Sequence, residues 1–335
     1  MAREIPTAVA INEAIRIAME TDPDVILMGE DVAGGGTREA EDTAEIGGIM
    51  GVTRGLNTQF GNDRVLDTPI SEMGILGTAV GAAMTGLRPI VELMFIDFLG
   101  VCLDPLLNQA AKLRYMLGGK ARVPLTVRTV TGAGMQSAAQ HSQSLYWMTA
   151  GIPGLKTVIP SNAYDAKGLL LAAIRDDDPV VFCEAKGIIF DATDVPEGDY
   201  VVPIGKAAIA REGSDVTLVG MGLTVKMALA AAEALASENV DAEVLDLRSL
   251  APLDEDAILA SLAKTGRLVV VDEATPRCGI ASDVASLCVT KGFDLLDAPV
   301  GRVTAPHTPV PFSAVLEQAY MPSPDKIIAA VRDLG

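Results

Sequence analysis

Residues 64–98 read RVLDTPISEMGILGTAVGAAMTGLRPIVELMFIDF, and this stretch decides the fold. It predicts a short buried strand at Arg64–Thr68, a sharp turn at Thr68-Pro69 and a helix over Met73–Gly86. A second strand is predicted at Pro89–Met94. Ser71 is the expected N-cap of the helix. The order strand, helix, strand indicates a parallel pair of strands joined by a crossover helix.

Glu72 is the unusual residue of this helix. Its neighbours are small or apolar almost all round, a composition typical of a buried helix. An ionised carboxylate in such surroundings needs a partner, or it takes up a proton instead. The pattern alone leaves two interpretations open. Glu72 either complements the positive N-terminal end of the helix or serves a binding site.

Short apolar runs alternate with helical segments along the first half of the chain. Buried continuous strands that alternate with helices predict a mostly parallel sheet with helices on both faces. A first domain is therefore expected at 1–184. Residues 185–203 hold proline, glycine and acidic residues without periodicity, and they predict a linker. The predicted strands are VILMGE, VLDT, PIVELM, PLTVRTV, KTVIP and PVVFCE, and the predicted helices are 7–21, 71–86, 99–118, 144–151 and 163–175.

The same alternation returns at 204–335 and predicts a second, smaller domain. The fold class is therefore α/β, with two domains that each hold a mostly parallel sheet covered by helices on both faces. No cluster of candidate catalytic side chains occurs in the second half, which is typical of an assembly domain. Its predicted strands are GKAAIA, DVTLVGMG, AEVLDLR, LVVVDEA and GRVTAP, and its predicted helices are 224–239, 254–265, 280–292 and 323–333.

The composition excludes several classes of function. The 335 residues are 49% hydrophobic, which is enough for two domains with their own cores. The 26 basic and 44 acidic residues give a net charge of −18 without a basic stripe, so no nucleic-acid partner is expected. No apolar run has membrane length, and the N-terminus lacks a signal-peptide pattern. With four widely spaced cysteines, this predicts a cytoplasmic protein that does not associate with membranes.

The stretch DTPISEMGILGTAVGAAMTGLRPIVELMFIDF resembles the β subunit of the thiamine-diphosphate-dependent first component of 2-oxo acid dehydrogenase complexes. The resemblance continues through QAAKLRYMLGG, AAQHSQS, GIPGLKTVIPS, DAKGLLLAAIRDDDPVVFCE and APHTPVPFS, and so covers nearly the whole chain. It implies a thiamine-diphosphate pyrimidine-binding domain followed by a transketolase C-terminal domain. The sequence looks most like the acetoin dehydrogenase branch, with pyruvate dehydrogenase close behind and the branched-chain enzyme more distant.

The resemblance also implies a set of cofactor-binding residues. Glu72 matches the glutamate that contacts N1′ of the cofactor's aminopyrimidine. Phe98, which composition alone would assign to the core, matches a residue that packs against the pyrimidine ring. Glu30 matches an acid that supports the Glu72 region by hydrogen bonding.

His141 is the second candidate catalytic residue beside Glu72. It lies in GAGMQSAAQHSQS after a predicted strand, and loops at the carboxyl ends of parallel strands are where such sheets bind ligands. A lone histidine is more often structural. The resemblance implies instead a place in the substrate channel, with a role in proton transfer or in positioning the substrate and the lipoyl group. His307, the only other histidine, lies between prolines in APHTPVPFS, and its role stays open.

The acidic run RDDDP at 175–179 is the one sequence feature that suggests a metal. A solvated turn is the commoner origin of such a run. In some members of the family, however, a structural potassium ion is bound largely through backbone carbonyls. The matching positions, which become the predicted potassium site, are Leu125, Ala173, Ile174, Asp176 and Asp178, the last of which stands where the family has asparagine.

The motif that binds diphosphate and Mg²⁺ is missing. Thiamine-diphosphate enzymes carry a GDG motif followed by paired asparagines, and this chain has neither. The resemblance therefore implies an α2β2 enzyme in which the α subunit holds the diphosphate and Mg²⁺, and a lipoyl-bearing acyltransferase component that receives the acyl group.

Two alternatives remain to be weighed. A non-catalytic scaffold of the same fold would be expected to lose Glu72 or His141, and both are present. A self-sufficient homodimeric thiamine enzyme would need the missing motif. The polar, glycine-rich stretch at 33–48 predicts a surface loop, and no site residue is assigned to it.

Overall fold

The computed structural model describes residues 3–34 and 47–335. The loop predicted at 33–48 therefore lies almost entirely outside the described residues. Strands and helices alternate in both halves of the chain. The strands are β1 Glu4–Pro6, β2 Val25–Gly29, β3 Val65–Asp67, β4 Arg88–Phe95, β5 Thr126–Thr131, β6 Lys156–Val158, β7 Val180–Ala185, β8 Ala192–Asp194, β9 Ala208–Arg211, β10 Val216–Gly220, β11 Ala242–Asp246, β12 Ser249–Ala251, β13 Leu268–Asp272 and β14 Gly301–Thr304.

The helices lie where the apolar periodicity predicts them, with several additions. A 3₁₀ turn, a six-residue π-helical turn and a short α-helix share the segment predicted as one helix at 99–118. The α-helices are α1 Thr7–Thr21, α2 Leu56–Phe60, α3 Glu72–Met84, α4 Ala111–Met116, α5 Tyr146–Ala150, α6 Ala163–Arg175, α7 Leu223–Ala236, α8 Glu255–Thr265, α9 Ile280–Lys291, α10 Ala314–Tyr320 and α11 Pro324–Arg332, and the two turns are Ile96–Gly100 and Pro105–Ala110.

Two mostly parallel sheets form the frame of the described chain. The larger has the strand order β12-β6-β7-β5-β4-β2-β3, and every neighbouring pair is parallel except β12 with β6. The smaller has the order β14-β13-β10-β11-β9, with only β9 antiparallel to its neighbour. The predicted α/β fold class with two mostly parallel sheets is confirmed. In the described part of the chain, no helix combines the length and the apolar character that crossing a membrane requires.

Residues 185–203, predicted as a linker, pack against the first half of the chain. Strand β8 pairs antiparallel with β1, and Thr7 donates a backbone hydrogen bond to Asp191 at 3.0 Å. Val195 and Val202 are buried. The three-residue β12 then returns from the second half to the edge of the larger sheet. The limits 184 and 204 for the two domains remain predictions.

Helix α3 runs over Glu72–Met84 instead of Met73–Gly86, and its burial also differs from the prediction. One face is buried against β4, through Ile75, Leu76, Ala79, Val80 and Ala83. The opposite face is open within this chain, since Gly77 and Gly81 have no described heavy atom within 4 Å of a built Cβ. The expectation of a helix buried all round was wrong for the single chain, because the described residues supply a packing surface on one side only.

A buried apolar cluster joins the two halves, and polar contacts fix their orientation within it. The cluster includes Val91 from the larger sheet and Val270 from the smaller one. Inside the interface the Tyr146 hydroxyl donates to Asp272 Oδ1 at 2.5 Å, and Arg248 Nη1 donates to Asp165 Oδ1 at 2.8 Å. Buried polar groups that are satisfied in this way permit few alternative arrangements of the interface.

Tyr146→Phe is expected to destabilise the chain, because it leaves the buried Asp272 carboxyl without its hydroxyl donor. A lost buried hydrogen bond of this kind costs about 1–3 kcal/mol. The melting temperature of the purified chain should then fall by about 2–8 °C. Tyr164→Phe is the matched control, since Tyr164 is partly exposed and stacks on Tyr200. Equal melting temperatures of the two variants would contradict the expectation.

Candidate active site

The four residues predicted to form the site lie on segments that leave one edge of the larger sheet. Glu30 directly follows β2, and Glu72 begins α3 shortly after β3. Phe98 lies in the 3₁₀ turn after β4, and His141 lies in the loop after β5. These strands are parallel neighbours, so their carboxyl ends meet at the same edge. The topology explains why residues so far apart in sequence share one region.

Glu72 is a half-buried carboxylate at the first position of α3. Ser71 precedes it but does not cap the helix through its side chain, because its hydroxyl donates to the Pro69 carbonyl at 3.2 Å instead. Among residues 3–34 and 47–335, no group hydrogen-bonds or ion-pairs with the Glu72 carboxylate. An accepting group with unused capacity therefore lies at the positive end of a helix.

Glu30 lies within electrostatic reach of Glu72. Burial raises the pKa of Glu30, and the negative charges of Asp31, Glu72 and Glu92 raise it further. Burial is also the main reason that the pKa of the Cys102 thiol is raised to about 12, with a smaller contribution from Glu72. The charge of Glu72 and the partial burial of Glu30 thus both favour the protonated form of Glu30 relative to a free glutamate.

Phe98 and His141 belong to a cluster of three aromatic rings. The His141 imidazole meets Phe95 edge to face at a centroid distance of 4.9 Å and Phe98 at 5.3 Å. The two phenylalanines meet each other at 6.0 Å. The rings confine the imidazole by packing, while no described residue hydrogen-bonds to either of its nitrogens. His141 thus has a defined place and free nitrogen atoms.

A buried cation lies beneath the His141 loop. Lys186, which is 1% exposed, donates from Nζ to the His141 backbone carbonyl and lies 5.0 Å from the centre of the Phe95 ring. Burial lowers the pKa of Lys186, and the nearby Asp97, Glu317 and Glu273 oppose that shift. The ammonium is therefore held by the His141 carbonyl and by the negative charges of three nearby carboxylates.

A second buried ion cluster lies inside the larger sheet. Arg128 Nη1 donates to Glu92 Oε2 at 2.8 Å, and Arg128 Nε lies 2.7 Å from Glu184 Oε1. All three residues are buried. Burial raises the pKa of Glu184 to about 7 although Arg128 opposes the shift. This cluster lies in the strands behind the loops and stiffens the frame of the site.

His307 lines a cavity of about 340 Å³ between the two halves. Gln143, Ser144 and Trp147 form one wall, and Tyr320 forms part of the other. His307 itself is exposed. It is therefore close to the loop of His141 without belonging to the aromatic cluster.

The five positions predicted to bind potassium all have other partners. The carbonyl oxygens of Ile174 and Asp176 accept from Arg88 at 3.0 and 2.8 Å, and Lys156 Nζ donates to both Asp176 carboxylate oxygens. The Asp178 carboxylate pairs with Arg114, while the carbonyls of Leu125 and Ala173 accept backbone amides of Val180 and Asp176. Because three cationic side chains, Arg88, Lys156 and Arg114, already serve these oxygens, the donor set does not require a metal ion. Potassium stays a prediction.

Comparisons with known proteins match nearly the whole chain. Residues 3–190 match the transketolase pyrimidine-binding domain family, and residues 205–327 match the transketolase C-terminal domain family. The chain is 60% identical to the acetoin:2,6-dichlorophenolindophenol oxidoreductase subunit β of Bacillus subtilis (strain 168), covering 100% of this chain and 98% of the relative.

The chain belongs to this transketolase-like family of β subunits. It is also 45% identical to the pyruvate dehydrogenase E1 component subunit β of Rickettsia felis, over 97% of both chains. A solved chain described as a split-gene transketolase in an inactive β4 tetramer superposes with a TM-score of 0.76 over 99% of this chain and 98% of its own. At 22% identity, that likeness concerns the fold alone.

The family implies thiamine diphosphate as cofactor, and the described residues of this transketolase-like β subunit fit its pyrimidine half. A pyrimidine with ring nitrogens and an amino group needs a hydrogen-bonding carboxylate and an apolar face. Glu72 offers unused acceptor capacity, and Phe98 is a half-buried aromatic ring on the same edge of the sheet. The described residues do not fit the metal of the diphosphate half in the same way. They contain no group of three or more acidic, histidine or cysteine side chains suited to a metal ion.

The polar residues that hold the His141 loop were not predicted from the sequence. Asp97 accepts from the Gln143 backbone amide at 3.2 Å and from its side chain at 2.9 Å, and Lys186 binds the His141 carbonyl. One signal was available, because Asp97 follows β4 and Lys186 follows β7 at the same sheet edge. Glu317 and Glu273, which approach from the second half, carried no such signal.

A pH-dependent prediction follows from Glu273. Burial, reinforced by the charge of Asp272, raises the pKa of Glu273 to about 8, whereas an unfolded glutamate titrates near 4.3. The folded chain therefore binds more protons between these values. The contribution of Glu273 to stability is complete below about pH 4.3 and is lost as the pH rises towards 8.

Glu273→Gln should remove this loss. Its melting temperature is expected to match that of the unmodified chain near pH 5 and to exceed it by about 2–6 °C at pH 8.5. Glu255→Gln, which alters an exposed pair with Lys291, is the control and should give a small difference that does not change with pH. A Glu273→Gln difference that is the same at both pH values would refute the assignment.

Proposed function

We propose that this chain is the β subunit of an α2β2 thiamine-diphosphate-dependent enzyme that cleaves acetoin and transfers the acetyl group to a lipoyl domain. The full-length identity of 60% to a β subunit named for acetoin carries the choice of substrate. The 45% identity to a β subunit of pyruvate dehydrogenase makes pyruvate decarboxylation the second candidate.

Glu72, Phe98 and Glu30 are the residues that would hold the pyrimidine half of the cofactor. Glu72 would hydrogen-bond N1′ from the start of α3, and Phe98 would pack against the ring. Glu30, with its raised pKa, would donate to Glu72 and keep that carboxylate in place. When bound, thiamine diphosphate supplies the nucleophile that attacks the substrate carbonyl and the electron sink for cleavage of the carbon–carbon bond.

Glu72 contributes most when water is excluded. A hydrogen bond to a carboxylate is stronger in a site of low dielectric than in water, so burial of Glu72 beneath a second chain would increase its effect on the cofactor. In the single chain Glu72 is only half-buried, and the face of α3 that carries Gly77 and Gly81 is open. Both facts support a partner that completes the site.

His141 would act on the substrate side of the same site. Its imidazole nitrogens are free among the described residues, and its ring is held edge-on by Phe95 and Phe98. Imidazole is the side chain best suited to exchange protons near neutral pH. We assign it to proton transfer during acyl transfer, or to positioning of the substrate and the lipoyl group.

The partners follow from what the chain lacks. The sequence has neither the GDG motif nor the paired asparagines. We therefore assign the diphosphate and Mg²⁺ to an α subunit, and the lipoyl group to a separate acyltransferase component. Potassium at Leu125, Ala173, Ile174, Asp176 and Asp178 would be structural, and it would have to share the carbonyls that Arg88 already contacts.

Co-expression with the α subunit tests the function directly. The purified complex is expected to turn over acetoin with a higher kcat/KM than pyruvate or branched 2-oxo acids. A higher kcat/KM for pyruvate would transfer the assignment to the second candidate. A complex that binds thiamine diphosphate and acts on none of these substrates would support the scaffold alternative.

The shared-site proposal makes a prediction about the isolated chain. Without an α subunit it should show no calorimetric binding of thiamine diphosphate at micromolar concentrations, with or without Mg²⁺, because the ligands for the diphosphate are absent. The complex should bind the cofactor tightly and only with Mg²⁺. Tight, Mg²⁺-dependent binding by the β chain alone would overturn the shared site.

The proposed role of Glu72 makes a prediction about Glu72→Gln in the complex. The amide fills the same space, so assembly, judged by size-exclusion chromatography, should stay intact. Turnover should fall by about 10²–10⁴-fold, because the neutral side chain no longer stabilises a protonated N1′. Glu20→Gln, at the exposed end of α1, is the control. Normal turnover of Glu72→Gln would return Glu72 to the role of a helix-end charge.

A further inference from the structure

The loop that carries His141 has an unusual backbone. Between β5 and α5, Gln136 and Ala138 adopt φ values of +53° and +59°. Residues other than glycine rarely adopt this left-handed conformation, which costs of order 1–2 kcal/mol per residue. Such a conformation persists only when surrounding groups hold it. The groups that hold this loop therefore determine where the His141 side chain lies.

Glu317, on α10 of the second half, is the residue that contacts the strained part of the loop. Its carboxylate accepts from the Gly134 backbone amide at 2.9 Å and from the Gln136 backbone amide at 3.0 Å. Glu317 is only 4% exposed. A buried carboxylate bonded to two backbone amides forms charge-assisted hydrogen bonds, which are stronger than neutral ones.

Apolar packing from the second half supports the same contact. Ala133 is buried in a small cluster with Ala305, Val310 and Tyr320. Tyr320 and Glu317 lie one turn apart on α10, so one short helix supplies both the apolar and the ionic contact. The cluster fixes the distance between α10 and the loop, and the carboxylate fixes the direction of the loop amides.

Two residues of the first half of the chain also contact the loop. Lys186 donates to the carbonyl of His141 itself, and Asp97 accepts from Gln143 two residues later. Along the loop, Glu317 therefore contacts residues that precede His141, Lys186 contacts His141 itself, and Asp97 contacts a residue that follows it. Glu317 is the contact among these three that comes from the other half of the chain.

We propose that Glu317 is a positioning residue that sets the backbone of the Gly132–Leu145 loop and, through it, the place of the His141 imidazole. It touches neither substrate nor cofactor. The second half of the chain thereby takes part in the active site, beyond the assembly role that its sequence suggested. Only the kinetic consequence of the proposal rests on the proposed function of His141.

Glu317→Gln is the decisive variant. A carboxamide has one acceptor oxygen, and its NH₂ group would face a backbone amide, donor against donor. Glu317→Asp keeps the negative charge on a side chain that is one methylene shorter. Its effect on the loop is expected to lie between those of Glu317→Gln and the unmodified chain. Glu255→Gln, on the exposed surface of α8, is the matched control.

Two measurements on the full chain test the loop independently of any reaction. Hydrogen exchange of a peptide spanning 132–145 should be at least fivefold faster in Glu317→Gln than in the unmodified chain and in the control. Because the chain has only two histidines, carbon-13-labelled histidine gives two ring signals, which His141→Ala assigns. The His141 signal should shift or split in Glu317→Gln.

Kinetics of the α2β2 complex then test the consequence. We expect kcat of Glu317→Gln to fall about tenfold, with the Kd for thiamine diphosphate and the KM changed less than twofold. A domain contact without a positioning role would lower the melting temperature and leave kcat and the His141 signal unchanged. Unchanged hydrogen exchange and an unchanged His141 signal in Glu317→Gln would overturn the proposal.

The proposed function can fail separately from this inference. If His141→Ala turns over at the normal rate, the assignment of His141 is wrong, while the exchange and ring-signal data still decide whether Glu317 sets the loop. If Glu317→Gln does not fold, Glu317→Asp decides by the same two measurements. Values equal to those of the unmodified chain would then overturn the proposal.

Discussion

The carboxyl ends of parallel strands meet at one edge of the larger sheet, and the candidate site depends on this constraint. A parallel sheet places each strand-to-helix connection on the same side, so the residues after β2, β3, β4, β5 and β7 become neighbours. Glu30, Glu72, Phe98, His141 and Lys186 are the residues that use these positions. Their separation in sequence is large because a crossover helix must lie between successive strands.

The same edge concentrates buried charge, and the structure compensates for it locally. Arg128 pairs with Glu92 and Glu184 inside the sheet, and Lys186 donates to the His141 carbonyl within the electrostatic influence of Asp97 and Glu273. Burying an ion costs several kcal/mol unless partners satisfy it, so such groups hold their places strictly. These buried contacts hold the loops that carry Phe98 and His141.

Local pattern was sufficient to predict the strands and helices that alternate. Each apolar run from VILMGE to GRVTAP became a strand, because periodicity and burial are properties of neighbouring residues. The strands that the sequence did not predict are those that pair with distant parts of the chain. Strand β12 has three residues and joins the sheet of the other half, and β8 pairs with β1 across 188 residues. Pairing of such short segments depends on where the rest of the chain has brought them.

The residues of the site were also predictable only in part. The resemblance supplied Glu72, Phe98, His141 and Glu30, and the topology explains how the chain places them on one edge. Glu317 could not be found in this way, because its contacts with Gly134 and Gln136 join residues more than 180 positions apart. A glutamate on a short helix of the second half looks like any other surface residue until the structure shows that it is buried.

The open face of α3 explains why the sequence and the single chain disagree about burial. The outer face of α3 carries small residues at Gly77, Thr78 and Gly81, so a second helix could pack closely against it. Glu72 lies at the start of that helix and shares its exposure. If the chain buried Glu72 by itself, the charged carboxylate would lose its hydration without gaining a partner, which is unfavourable. A site shared with a second subunit would avoid this, because Glu72 would lose water only when the cofactor and the partner supplied compensating contacts.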